Sequence, residues 1–482
     1  MYDVKLLIGG EDRGAGATFD RNDPVTGAVA TRSAAAGVAE ARAAVDAAAA
    51  AFPAWAATPP NARRKLLNAA AAGLRAKAQE FAERVTAETG ATIGWGHFNV
   101  GFAATILEEA ASITTQVAGE VIPSDHAGTL SMAMRTPAGV VVGMAPWNAP
   151  IILGVRAVAV PLACGNTVVF KASEMCPATH RLIVDVLVEA GIPAGVVNFV
   201  THAAADAPAV VEALIAHPAT RRVNFTGSTR VGRIVGELSG RHLKPCVLEL
   251  GGKAPLLVLD DADLDAAVAA AAFGAFMNQG QICMSTERII VDEAVAEDFL
   301  ARFKAKTETL QVTDPRAPGA KMGACVNAST TAHVRELLED AVSRGAVLVT
   351  GGTGEGGAFF NPTVVDKVTS SMRLYGEESF GPIVAVIRAR DTDDAVRLAN
   401  DSEYGLSAAV FSRDLSRALS VAQRIDAGIC HVNGPTVMDE AQMPFGGVKA
   451  SGVGRFGGKA GIDAFTDLRW ITVDTQPRHY PI

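Results

Sequence analysis

"RRVNFTGSTRVG", residues 221–232, is the stretch on which the reading of the fold turns. A strand with Val223 and Phe225 runs into Gly227, and Ser228 and Thr229 follow where they can cap the first turn of a helix. The same texture extends in both directions. Apolar, β-branched runs such as "GVVVGMAP" (139–146), "NTVVFKAS" (166–173), "GVVNFVT" (195–201), "APLLVLD" (254–260), "RIIVD" (288–292), "PIVAVIRA" (382–389) and "ICHVN" (429–433) are separated by helical stretches such as 181–190 and 294–309. Strands of that kind, buried on both faces and joined by helices, predict parallel sheets in an α/β protein. Upstream lie an opening hairpin, helices over 38–52, 61–78 and 102–117, and "TLSMAMRTP" (129–137), whose mixed polarity reads as a strand. A glycine pair after an apolar strand, near residue 250, marks the expected domain boundary.

A chain of 482 residues exceeds one ordinary core and predicts two or three domains. With 49% hydrophobic and 20% charged residues it is of globular composition. The most apolar stretch, 140–170, is broken by Asn148, Arg156, Asn166 and three prolines, so no membrane span is expected. The start lacks a basic region followed by an apolar core, and a cytoplasmic location is expected. The net charge of -8, without a basic cluster, argues against nucleic acid and against a membrane surface as partners. Six cysteines lie far apart with no zinc-ligand spacing, so free thiols and no metal are expected.

Two places suit a dinucleotide. The helix after Gly227 would offer unpaired N–H groups and a positive dipole end to a pyrophosphate, although the usual G-x-G-x-x-G is absent and an ordinary turn explains the glycine as well. "FKASE" (170–174) ends an apolar strand, where open α/β sheets bind ligands, and Lys171 with Glu174 can hold ribose hydroxyls or be plain solvated charges.

Three residues carry chemistry. Cys283, in "NQGQICMST" (278–286), stands among small polar residues, unlike Cys164 or Cys246; it is either a structural thiol or a nucleophile. Asn148 lies between prolines and apolar runs, where its amide braces a loop or is held ready for a ligand. Glu249 sits in an apolar strand just before two glycines, and burial would raise its pKa toward that of a general base; a structural ion pair is the alternative. Together they form a coherent set: thiolate attack on a carbonyl, an amide for the oxyanion and a carboxylate to activate water.

At this point the chain resembles the NAD(P)-dependent aldehyde dehydrogenase superfamily. The matching segments are "PWNAP", "GNTVVFKASE", "FTGSTRVG", "LELGGKAP", "GQICMSTER", "EESFGPIVAV", "NDSEYGLSAAVF" and "PFGGVKASGVGR", in the family's order across almost the whole chain. The resemblance implies an α/β fold with a Rossmann-like cofactor domain (1–118 and 136–249), an α/β catalytic domain (250–467) and a β-hairpin oligomerisation arm (119–135 and 468–482). It makes Cys283 the nucleophile, passing through a thiohemiacetal and a thioester, Asn148 with the Cys283 N–H the oxyanion hole, and Glu249 the base. It assigns Trp147, Lys171, Ser173, Glu174, Gly227, Ser228, Gly251, Glu378 and Phe380 to the cofactor. NAD is favoured over NADP, because Glu174 would crowd and repel a 2′-phosphate. The arm implies a homodimer or a dimer of dimers.

Within the family, "GQICMSTER" and "PWNAPIIL" look most like the salicylaldehyde, vanillin and benzaldehyde dehydrogenase branch. Trp95, Ala149, Arg156, Ile282, Met284 and Phe445 would then line an aryl pocket for a small aldehyde carrying an ortho or meta oxygen. Arg156, in an apolar helix, is either ion-paired or steers a polar substituent. Three rivals stand beside this reading: an aliphatic semialdehyde dehydrogenase in which Arg156 holds a distal carboxylate, a CoA-acylating enzyme, which the presence of Glu249 opposes, and a non-catalytic protein on the same fold.

Overall fold

The structure is a computed structural model that describes residues 1–354 and 356–482. Its frame is two parallel sheets. The first has eight strands, in the order Gly452–Val453, Cys246–Glu249, Thr220–Thr226, Val140–Met144, Thr167–Lys171, Val197–Val200, Leu6–Ile8 and Glu11–Arg13. The five in the middle are parallel. Alternate residues of these strands enter different cores: Val141, Val168, Phe170 and Phe199 face one helical layer, whereas Val140, Val142, Val169 and Val223 face the other. Burial of both faces is why these strands read as continuous apolar runs.

In chain order the central strands run outward from Val140–Met144 to one side and then from Thr220–Thr226 to the other. The order reverses between those two neighbours, and the loops after them, at 145–149 and 227–228, open the crevice where ligands of such sheets bind. Proline at the first turn starts the helices Pro150–Ala163 and Pro177–Glu189, and the Ser228 side chain accepts the Val231 N–H to cap Thr229–Arg241.

The second sheet has seven strands: Val347–Thr350, Thr363–Asp366, Ile383–Ala389, Thr286–Asp292, Ala254–Val258, Ser407–Phe411 and Ile429–Val432. All pairs are parallel except the first. A third sheet pairs Thr129–Pro137 with Thr466–Asp474 and with Glu120–Val121, antiparallel. Its strands bear exposed Val121, Leu130, Leu468, Trp470 and Val473. No described helix is long and apolar enough to cross a membrane.

Several boundaries differ from the expected ones. The helix placed at 102–117 begins nine residues earlier, as Ile93–Ser112, with Thr92 as its cap. Three glycines in its first turns hide the apolar period; at one of them, Gly96, a Cβ would lie 2.5 Å from the Ala82 backbone, so the helix Ala78–Thr89 packs there at close range. The strand Gly452–Val453, from the segment expected to be catalytic, joins the first sheet beside Cys246–Glu249. The arm strand Thr129–Pro137 runs past residue 135, and its partner begins at Thr466 rather than 468.

Candidate active site

Glu249 closes the strand Cys246–Glu249, and the Gly251–Gly252 pair that follows lets the chain pass against the nucleophile loop. A Cβ on Gly252 would lie 2.3 Å from the Cys283 carbonyl oxygen. Glu249 is 1% exposed, and neither carboxyl oxygen has a hydrogen-bond partner. Burial raises its pKa to about 7, partly offset by the nearby Cys283 thiol and by Arg156. Thiol and carboxyl are thus neighbours without an aligned hydrogen bond. Burial, and then the Glu249 charge, push Cys283 well above the ordinary thiol range, so the neutral thiol is the resting form.

The loop before Cys283 is not the open polar loop the sequence suggests. Asn278, Gln279, Gln281 and Ser285 are all buried, and each is spent on main chain. The Asn278 amide donates to the Asn148 carbonyl at 2.9 Å, Gln279 donates to the Ala324 carbonyl at 2.8 Å and Ser285 Oγ to the Gly280 carbonyl at 3.0 Å, while Gln281 accepts the Val326 N–H at 2.9 Å. Asn278 and Gln279 hold φ of 49° and 57°, a left-handed turn that such a network can enforce. Cys283 itself retains partial exposure.

Asn148 stands where the first sheet's strand order reverses. Its carbonyl accepts the Trp95 indole N–H at 3.0 Å as well as the Asn278 amide, which ties this loop to both the pocket wall and the nucleophile loop. Trp95, Ala149, Ile282, Met284 and Phe445 share one apolar cluster, and Cys283 packs against it. Arg156 joins them through its guanidinium, 4.5 Å from the Phe445 ring centre and 2.5 Å from Asp439. Asp439 has a second carboxylate oxygen, Oδ1, that is buried without a donor.

The expected cofactor residues fall into two groups. Lys171 ends the strand Thr167–Lys171, and Ser173 and Glu174 follow it; burial lowers the Lys171 pKa and the Glu174 charge opposes that shift. His180 braces this loop, accepting the Ser173 N–H at Nδ1 (3.2 Å) while Nε2 meets the Pro150 carbonyl (3.1 Å). Burial holds its pKa down to about 3, so it is neutral. Gly227 and Ser228 follow the strand Thr220–Thr226, two places along the sheet, with the Gly227 N–H donating to the Glu249 carbonyl at 3.0 Å. The second group lies next to the thiol: Phe380 meets Trp147 edge-on at 5.7 Å, and Glu378 accepts the Gly252 N–H at 2.8 Å. A Cβ on Gly251 would lie 2.5 Å from the Glu378 carboxylate, so glycine is required for that approach. Burial, reinforced by Glu287, raises Glu378 to about 8. The capped helix N-terminus at Ser228 and the Glu378 carboxylate against Gly251 are groups of the kind a dinucleotide uses. Asp439, Asn278, His180 and Glu287 carry no signal of their own in the sequence; Arg156 alone, as a charge in an apolar helix, announced that a partner must exist.

Known proteins resemble this chain along almost its whole length. The model of the "Aldehyde dehydrogenase family" matches residues 12–471. A vanillin dehydrogenase from Pseudomonas fluorescens is 62% identical, with 100% of each chain covered. A salicylaldehyde dehydrogenase from Pseudomonas putida is 50% identical over 96% of each. The crystal structure of a salicylaldehyde dehydrogenase from Pseudomonas putida G7, complexed with salicylaldehyde, superposes with a TM-score of 0.98 at 48% identity over 100% of both chains. The chain therefore belongs to the aldehyde dehydrogenase family and is an oxidoreductase that oxidises aldehydes.

Proposed function

We propose that the enzyme oxidises an aromatic aldehyde bearing a ring oxygen, of the vanillin or salicylaldehyde type, to the carboxylic acid with NAD, in the cytoplasm and as a homodimer or dimer of dimers. The observation that carries the substrate reading is the Arg156–Asp439 pair. A guanidinium already neutralised by a buried carboxylate is a poor receptor for a second carboxylate, which opposes the semialdehyde reading. Asp439 Oδ1 instead offers a buried acceptor to a phenolic O–H, beside a wall of Trp95, Ile282, Met284 and Phe445.

The chemistry follows from the site. Cys283 gives its proton to the neighbouring Glu249 carboxylate, which sheds it to solvent before deacylation, and the Cys283 sulfur bonds to the aldehyde carbon. The charge that develops on the aldehyde oxygen is met by the Asn148 amide and the Cys283 N–H. Lys171, Glu174, Ser228, Glu378 and Phe380 would hold a nicotinamide dinucleotide, which would supply a hydride acceptor there. Glu249, with its pKa near 7, then takes a proton from water, the hydroxide adds to the thioester carbon, and the carbon–sulfur bond breaks to release the acid. Glu174, at the ribose end, supports NAD over NADP, and the exposed apolar side chains of the third sheet support self-association through the arm.

The deciding measurement is kcat/KM with NAD for vanillin, salicylaldehyde, benzaldehyde and succinic semialdehyde side by side. A preference of about tenfold or more for the ring-oxygenated pair is expected. A preference for the semialdehyde overturns the reading.

A further inference from the structure

Lys253 follows Glu249 by one short turn and Glu287 follows Cys283 by another, and the two side chains meet in a salt bridge that no step of the reaction uses. Lys253 Nζ lies 2.5 Å from Glu287 Oε2, with side chains 0% and 4% exposed. Charges so deep are costly to desolvate and are retained where hydrogen bonds occupy their remaining valences. Those of Glu287 all go to one loop. The Ser379 N–H donates to both carboxylate oxygens at 3.0 Å, Ser379 Oγ donates at 2.8 Å and the Phe380 N–H at 3.1 Å. The Lys253 carbonyl is pinned in turn by Arg288 Nε at 3.1 Å.

The loop needs holding. Phe380 has φ of 44°, a left-handed conformation that a side-chain-bearing residue keeps only when its surroundings impose it. Its neighbour Gly381 is pressed by the nucleophile loop, since a Cβ on Gly280 would lie 2.2 Å from the Gly381 oxygen. Glu378 at the other end of the loop takes the Gly252 N–H, next to Lys253 in the chain. One short segment is therefore bonded both to the chain after the base and to the strand after the nucleophile.

We propose that Lys253 and Glu287 are positioning residues that hold loop 378–381 in its strained form before the cofactor arrives, so that dinucleotide binding does not have to order it. The proposal rests on the reading of Glu378 and Phe380 as nicotinamide-side groups. A carboxylate serves here because it accepts several N–H and O–H donors at once, and Lys253 Nζ adds one more donor in a dry site. Ordering the loop in advance lowers the cost of binding.

The test uses the full-length enzyme without cofactor and with NAD. Amide hydrogen exchange is followed in the peptide covering 376–383, and NAD affinity by quenching of tryptophan fluorescence, since Trp147 touches Phe380. Glu287→Gln should speed exchange in that peptide about tenfold and raise both Kd and KM for NAD about tenfold, while KM for the aldehyde changes less than about twofold. Ser379→Ala, which leaves the ion pair intact, should shift exchange and Kd in the same direction by about threefold. Wild-type exchange and affinity in Ser379→Ala overturn the proposal, whether or not Glu287→Gln folds. Faster exchange throughout both sheets, with the KM values for NAD and aldehyde raised alike, overturns it too, because that marks a general structural role. If the wild type binds no NAD, the assigned function fails, and exchange in the cofactor-free protein still decides whether Glu287 holds the loop.

Discussion

Arg156 and Asp439 face each other at 2.5 Å inside an apolar wall, 283 positions apart in the chain, with Phe445 stacked against the guanidinium. Each charge is bearable there because of the other. Asp439→Asn removes the countercharge and leaves Arg156 free to bind a carboxylate. The expected outcome is a shift of about tenfold or more in kcat/KM toward succinic semialdehyde relative to vanillin. An unchanged ratio in a folded variant would mean that Arg156 does not face the substrate.

Glu249 gives a pH signature in both activity and stability. Its folded pKa of about 7 stands above the ordinary 4.5, so between these values the folded chain keeps a proton that the unfolded chain releases. Its contribution to stability is therefore present below about pH 4.5 and is lost as pH rises through 7. Glu249→Gln carries no charge to desolvate and should be more stable than wild type by about 3 kcal/mol at pH 8, with the gap shrinking toward pH 5. The same variant should accumulate acyl-enzyme, and wild-type deacylation should rise through pH 7. Equal melting temperatures at pH 8 count against the buried charge, and unchanged turnover counts against the base.

Cys283→Ala should stop NADH formation, with residual turnover below about a thousandth of wild type, and leave NAD binding intact. Titration of NAD into the variant separates the two. Substantial turnover would return Cys283 to the structural role that most buried cysteines play.

Asn148 and Glu249 stand out in the sequence because each is a polar residue in surroundings that make it expensive, Cys283 because its flanks are polar, and the strands beside them carry unbroken apolar runs. Asp439 and Glu287 are not. Asp439 lies in a loop with no period, and its partner comes from a distant helix. Glu287 looks like an outward-facing strand residue, yet it serves a loop 92 positions away. The polar flanks of Cys283 misled for a related reason: Asn278, Gln279 and Gln281 resemble solvated loop residues, and only three-dimensional contacts reveal that their amides are spent on buried main chain. Local pattern reports the cost of a residue and not the partner that offsets it.

The proposed preference for NAD rests on Glu174, which follows the strand Thr167–Lys171. Its carboxylate beside Lys171 suits ribose hydroxyls and repels a 2′-phosphate. Glu174→Gln should weaken NAD modestly and raise kcat/KM for NADP about tenfold relative to NAD. If the wild type already prefers NADP, the assignment of Glu174 is wrong.

The third sheet carries the last expectation. Leu468 and Trp470 are 64% and 78% exposed on the strand Thr466–Asp474, which is paired on one edge only, with Thr129–Pro137. A strand with a free edge and a row of large apolar side chains is a liability unless another chain covers it. Trp470 is also fixed in place, its indole N–H donating to Ser131 Oγ at 2.7 Å, so the apolar surface is presented on an ordered element. Leu468→Arg combined with Val473→Arg puts a charge on each face of that strand without touching either parallel sheet. Light scattering should then show monomer at micromolar concentration where a dimer or tetramer is expected of the wild type, with NAD affinity retained. A double variant that keeps its wild-type mass would place the subunit interface elsewhere on the chain.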